Sequence, residues 1–147
     1  MTMATGVYTA AKKTIGGNTV DLDTDTFHGF LVADAYTPDY TGTGHDFRND
    51  ITNEVGTSGS YTNGTGFTLG SVTWAISGNE VRWDFADPVA TSATITARGL
   101  VNTKWRGGAS SADELVCGLL FTGGADVIST AGTFTVVIDA TGAMALA

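Results

Sequence analysis

The chain has 147 residues, 42% of them hydrophobic and only 15% charged, with a formal net charge of −8. A chain of this length fits one domain and buries roughly 68–70% of its unfolded surface, which argues against a disordered ground state. With seven basic residues against fifteen acidic ones, it has no positive stripe to release counterions from nucleic acid or to hold anionic lipid.

The first expected element is a short helix within Val7–Thr14, where Ala10-Ala11-Lys12-Lys13 run up to the stopping pair Gly16-Gly17. Two turns are unstable alone, so this helix must dock on the rest of the chain. The opening MTMATGVYTAAKK lacks the basic-then-apolar order of a secretion signal. The longest apolar stretch, near Leu115–Phe121, is far shorter than the ~20 residues of a membrane helix. Cys117 is the single cysteine, so no intrachain disulfide can form. Synthesis in a reducing cytoplasm, without membrane contact, is the expectation.

Asp21, Asp23 and Asp25 have the spacing that opens a calcium loop. The sixth and twelfth positions of such a loop need glycine and a bidentate glutamate, but they hold Thr26 and Val32. A solvated strand edge is the better reading. Thr26–Ala33 is apolar on both alternating faces apart from His28, as in a central strand covered on both sides.

From Tyr36 to Gly70 the chain is punctuated by glycine, threonine and asparagine around one acidic cluster, His45–Val55. A second short helix is expected near residues 45–52. The i,i+4 offset sets Phe47 and Ile51 on one face, with Asp46 at the favourable end of the dipole. Beyond Phe67 the pattern turns to strands. Val72, Trp74 and Ile76 alternate with polar or small residues, as do Val81, Trp83 and Phe85, and Ser77-Gly78-Asn79-Glu80 makes the turn of a hairpin.

Ser92–Trp105 reads as one longer strand with a bulge at Gly99. Leu115–Phe121 reads as doubly buried, and Thr133–Asp139 and Ala143–Leu146 close the chain around Ala140-Thr141-Gly142. Strands about every ten residues with glycine-rich turns give a mainly β fold. The expected form is an antiparallel sandwich or barrel with one or two short helices, as a single domain over 1–147.

Chemistry is sparse. His28 and His45 are the only histidines and have no Cys or Glu at ligand spacing, so no zinc site is expected. His45 is better placed to cap or pair with Asp46 or Asp50 than to act in catalysis. Cys117 lies among Leu115, Val116, Leu119 and Leu120, as a small core residue does. The glycine pieces Gly42-Thr43-Gly44 and Gly64-Thr65-Gly66 lack the lysine and helix of a phosphate loop. No enzyme activity, cofactor or metal is expected. Trp74 and Trp83 fall on the apolar phases of paired strands, which favours the core over a sugar platform. Trp105, between Lys104 and Arg106 where a loop begins, suits an intermolecular anchor or a half-buried strand end equally.

Several pieces, in order, carry a resemblance: Gly6-Val7-Tyr8 with Phe30-Leu31-Val32; Tyr36-Thr37-Pro38-Asp39-Tyr40; His45-Asp46-Phe47 through Asn53-Glu54-Val55 and Tyr61; and Ala93–Val101. The closing Gly132–Val136 belongs with them. Together they resemble the small structural proteins of tailed bacteriophages that are associated with the head surface. The resemblance implies a virion protein, without catalytic residues, that decorates the capsid. Its partner would be the major capsid protein, clamped at subunit joints, and analogy with other cement proteins implies a homotrimer. A tail or fibre component and a carbohydrate-binding module are the alternatives. The expected contact residues are Tyr36, Tyr40, Phe47 and Tyr61, then Trp105 and Arg106 in the Lys104–Ala109 loop, with the N-terminal arm.

Overall fold

A computed structural model describes residues 5–42 and 44–147. Met1–Ala4 of the arm expected to make contacts, and Thr43 of the first glycine piece, lie outside them. Among the described residues ten strands form three antiparallel sheets. The largest has the order β1-β8-β7-β2-β3, built from β1 (Gly6–Val7), β8 (Leu115–Leu120), β7 (Gly99–Lys104), β2 (Phe27–Val32) and β3 (Phe67–Thr68). The second is β10-β5-β4, comprising β10 (Met144–Leu146), β5 (Glu80–Asp84) and β4 (Thr73–Ser77). The third is a ribbon of two nine-residue strands, β6 (Val89–Ala97) and β9 (Val127–Thr135).

The two smaller sheets pack on one face of the large one in a sandwich-like arrangement. Sheet edges remain open, so the barrel alternative is not realised. Phe27, Leu31, Leu100 and Cys117 from the large sheet meet Trp83, Ile95, Phe134 and Met144 from the other layer. Trp83 sits at the centre, fully buried. Its ring meets Phe27 and Phe85 edge-on at 5.0 and 5.1 Å, and its indole N–H donates to the Leu22 carbonyl at 3.1 Å. Burying a side chain of this kind contributes about 1.5–3 kcal/mol, and the hydrogen bond removes the cost of a buried polar N–H.

β2 is buried along its whole length because both faces are covered. Its other face carries Val32 and, across the register, Val101. Tyr8, Ala11, Tyr36 and Leu115 complete a second cluster there. The helix α1 (Thr9–Gly16) docks through Ala11. Gly17 follows it, its N–H bonded to the Lys13 carbonyl. The acidic cluster makes one 3-10 turn, Arg48–Asp50. Asp50 accepts the N–H groups of Asp46 and Phe47, which fixes that turn.

The expected single strand Ser92–Trp105 is two strands. The chain changes sheet at Arg98, whose N–H bonds the Val32 carbonyl while its guanidinium reaches Asp34 and Asp126, both at 2.8 Å. The strand expected at Thr133–Asp139 starts earlier, at Val127, because β6 supplies a partner along the whole segment. The hairpin forms with Trp74 opposite Trp83. Its tip overhangs the core, however, leaving Ile76 82% exposed.

Candidate functional site

The six expected contact residues do not form one surface. Tyr36 and Tyr61 are fully buried, so neither ring can reach a partner of the folded chain. Tyr36 links the loop after β2 to the N-terminal segment. The Tyr8 and Tyr36 hydroxyls lie 2.8 Å apart, and the Tyr36 hydroxyl lies 3.2 Å from His45 Nδ1. Asp39 N–H also donates to that nitrogen, so it is the acceptor and the phenols run Tyr8 to Tyr36 to His45. Burial pushes the Tyr36 phenol up to about 12, and both phenols remain protonated donors. Tyr40 is half-buried, its ring 4.7 Å from Tyr8 and covering Gly6.

Tyr61 holds a different seam. Its hydroxyl accepts the Leu31 N–H of β2 at 3.0 Å and donates to Glu54 at 2.9 Å. The Glu54 carboxylate also accepts the Gly64 N–H. Desolvation nevertheless raises the Glu54 carboxyl above its ordinary value.

Phe47, Trp105 and Arg106 do come together, around the loop that precedes β8. Phe47 bridges to Glu114 through its backbone. Arg106 is exposed at the surface but bonds inward, to Glu114 at 2.7 Å and to the Ala112 carbonyl. The Trp105 indole is half-buried. His28 lies flat on it at 4.0 Å, and the Arg48 guanidinium sits 4.9 Å from its centroid. Arg48 in turn pairs with the fully buried Asp113 at 2.8 Å. Trp105 thus follows β7 as a half-buried residue with its ring stacked inside the fold.

The remaining candidate chemistry is consumed by the fold. Asp21 accepts the N–H groups of Asp23 and Thr24, and Asp25 pairs with Lys104 at 2.7 Å. Among the described residues no three of His, Cys, Asp or Glu gather to hold a metal ion. The Cys117 thiol is buried, which pushes it up to about 12. Trp83, one half of the possible sugar platform, has no exposed surface.

What the fold places on the surface is a different feature, the outer face of the β6–β9 ribbon. Ala93, Ile95, Ala97 and Phe134 point into the core. Alternation therefore turns Thr94, Thr96, Thr133 and Thr135 outward. Ile128, in register with Thr96, is 66% exposed, and Val137 just beyond the ribbon is 76% exposed. Between Asp126 and Asp139 the sequence has no charged residue, nor between Asp87 and Arg98. The charges at the ends form a rim, with Arg98 and Asp126 paired at one end. The signal for this face stood in the sequence as Thr94-Ile95-Thr96 and Thr133-Phe134-Thr135. Compared with protein-family models, with curated proteins and with solved structures, the chain matches none.

Proposed function

We propose that this chain is a decoration protein of a tailed-phage head. It would lie on the assembled shell and hold neighbouring capsid subunits across their joints. The observation that carries this reading is the uncharged, β-branched outer face of the β6–β9 ribbon in a chain of net charge −8. A protein interface is depleted of charge at its centre and polar at its rim. Threonine suits this role because it loses little hydration free energy on contact compared with an ion. A stable contact needs about 1,000 Å² or more in total, so the face would act with surfaces around it.

The test is co-sedimentation of the purified chain with empty capsid shells. Lysine at Thr96 or Thr135 places a charge on the outer face and is expected to weaken shell binding at least tenfold while the fold is kept. Lysine at the exposed hairpin turn residue Asn79 is the control and is expected to bind normally. Equal binding by all three variants would remove the ribbon face from the contact.

A further inference from the structure

Asn63 is the only asparagine in the chain that is followed by glycine. In such a pair no side chain hinders the glycine nitrogen, which can attack the asparagine Cγ. The new N–Cγ bond closes a succinimide ring, and the side-chain nitrogen leaves as ammonia. Water then opens the ring at either carbonyl, giving aspartate or isoaspartate. The attack needs a glycine nitrogen that has given up its proton and an asparagine side chain free to fold back over it.

The fold denies both. Gly64 N–H donates to the Glu54 carboxylate, 2.9 Å from one oxygen and 3.1 Å from the other. A hydrogen bond to the protonated form, from a group that is itself negative, opposes loss of the amide proton. The Asn63 side-chain amide donates to the Val55 carbonyl at 3.0 Å, and the Asn63 N–H to the Thr57 hydroxyl at 3.0 Å. Beyond the pair, Arg48 holds the Gly64 carbonyl at 3.0 Å, and Gly66 N–H closes the turn onto the Thr62 carbonyl at 2.8 Å. Burial offers little shelter. Asn63 is exposed, and a Cβ on Gly64 would meet nothing within 4 Å, so water and hydroxide have a path to the peptide.

We infer that Asn63-Gly64 is a deamidation site kept latent by hydrogen bonds to the Glu54 seam, and that conversion there unlocks the seam. The product sets a carboxylate oxygen against the Val55 carbonyl, where an N–H donor stood. It also brings a second negative charge beside Glu54, and like charges in contact repel. Isoaspartate further lengthens the backbone inside the Thr62–Gly66 turn. The Tyr61 hydroxyl bonds both Glu54 and the Leu31 N–H, so the disturbance reaches β2. A brief opening of the loop is thereby made permanent. The inference does not depend on shell binding.

The experiment is peptide mapping by mass spectrometry after incubation of the full chain at mildly alkaline pH, folded in buffer or unfolded in guanidinium chloride. Aspartate and isoaspartate at position 63 are expected to accumulate at least tenfold more slowly in the folded chain. Glu54→Ala, its fold checked by circular dichroism, is expected to convert several times faster than folded wild type. Asn63→Asp is expected to unfold at a lower urea concentration. Equal rates in the folded and unfolded chains, or faster conversion in the folded one, would overturn the guard, and that comparison needs no variant. A folded Glu54→Ala chain converting at the wild-type rate would overturn the part given to Glu54. An unchanged urea midpoint for Asn63→Asp would overturn the unlocking.

Discussion

The imidazole of His28 lies on the indole of Trp105 with 4.0 Å between ring centroids and 5° between ring planes. His28 Nδ1 is 2.6 Å from the Thr65 carbonyl, which can only accept, so that nitrogen carries the proton. Nε2 is then free to accept from the Thr68 hydroxyl at 3.2 Å. The stack thus joins β2, β3 and the end of β7, and Arg48 extends it to Asp113.

Trp105→Ala should therefore act on stability. Removing a half-buried indole with stacking and cation contacts is expected to cost about 2 kcal/mol. Urea unfolding would show it as a lower midpoint. An unchanged midpoint with lost shell binding would return Trp105 to the interface.

The same histidine gives a pH dependence. Burial lowers the His28 pKa from its ordinary value, so the folded state binds its proton later than the unfolded state. Its contribution to stability is complete above about pH 6.5 and is lost as the pH falls from there towards the folded value. Glu54 works in the opposite sense. Its raised carboxyl favours the fold most at low pH, and that contribution is lost as the pH rises through its folded value. The difference between wild type and His28→Phe isolates the histidine, and it should shrink as the pH is lowered from 7 to 5. A difference that is flat or grows would contradict the neutral, doubly bonded imidazole.

Tyr61→Phe keeps the ring and removes one oxygen. Leu31 N–H loses its acceptor and Glu54 loses a donor. An unsatisfied buried donor costs about 1–3 kcal/mol, to be read as a fall in the urea midpoint with the slope unchanged. The amide of Leu31 should also exchange faster. No change in either would mean that water replaces the hydroxyl.

Cys117 should be silent in the native protein. It is 1% exposed, and its thiol is held protonated by burial, whereas reaction requires an accessible thiolate. Thiol reagents are expected to label one equivalent only after denaturation. Rapid labelling of the folded chain would show that β8 opens from its neighbours.

Much of the scaffold was legible because local pattern and tertiary role agreed. The hairpin turn at Gly78-Asn79 and the double burial of β2 follow from alternation and turn chemistry alone. The break at Arg98 was not legible, since Ser92–Trp105 is strand-forming throughout and only pairing with β9 on one side and β2 on the other divides it. Tyr36 and Tyr61 looked like contact residues because they stand in a loop of glycine and threonine. The reading of β2 as covered on both faces already required something to cover it, and these tyrosines belong to that cover. The threonine face stayed hidden for the opposite reason. Threonine facing water and threonine facing a partner read alike, and only the ribbon pairing shows that Thr96 and Ile128 lie side by side.

The most direct measurement is the number of copies of this chain per copy of the major capsid protein in purified particles, by quantitative mass spectrometry. Decoration of the head requires a ratio near one or a simple fraction set by the lattice. A handful of copies per particle would place the chain in the tail, and its absence would contradict a virion role.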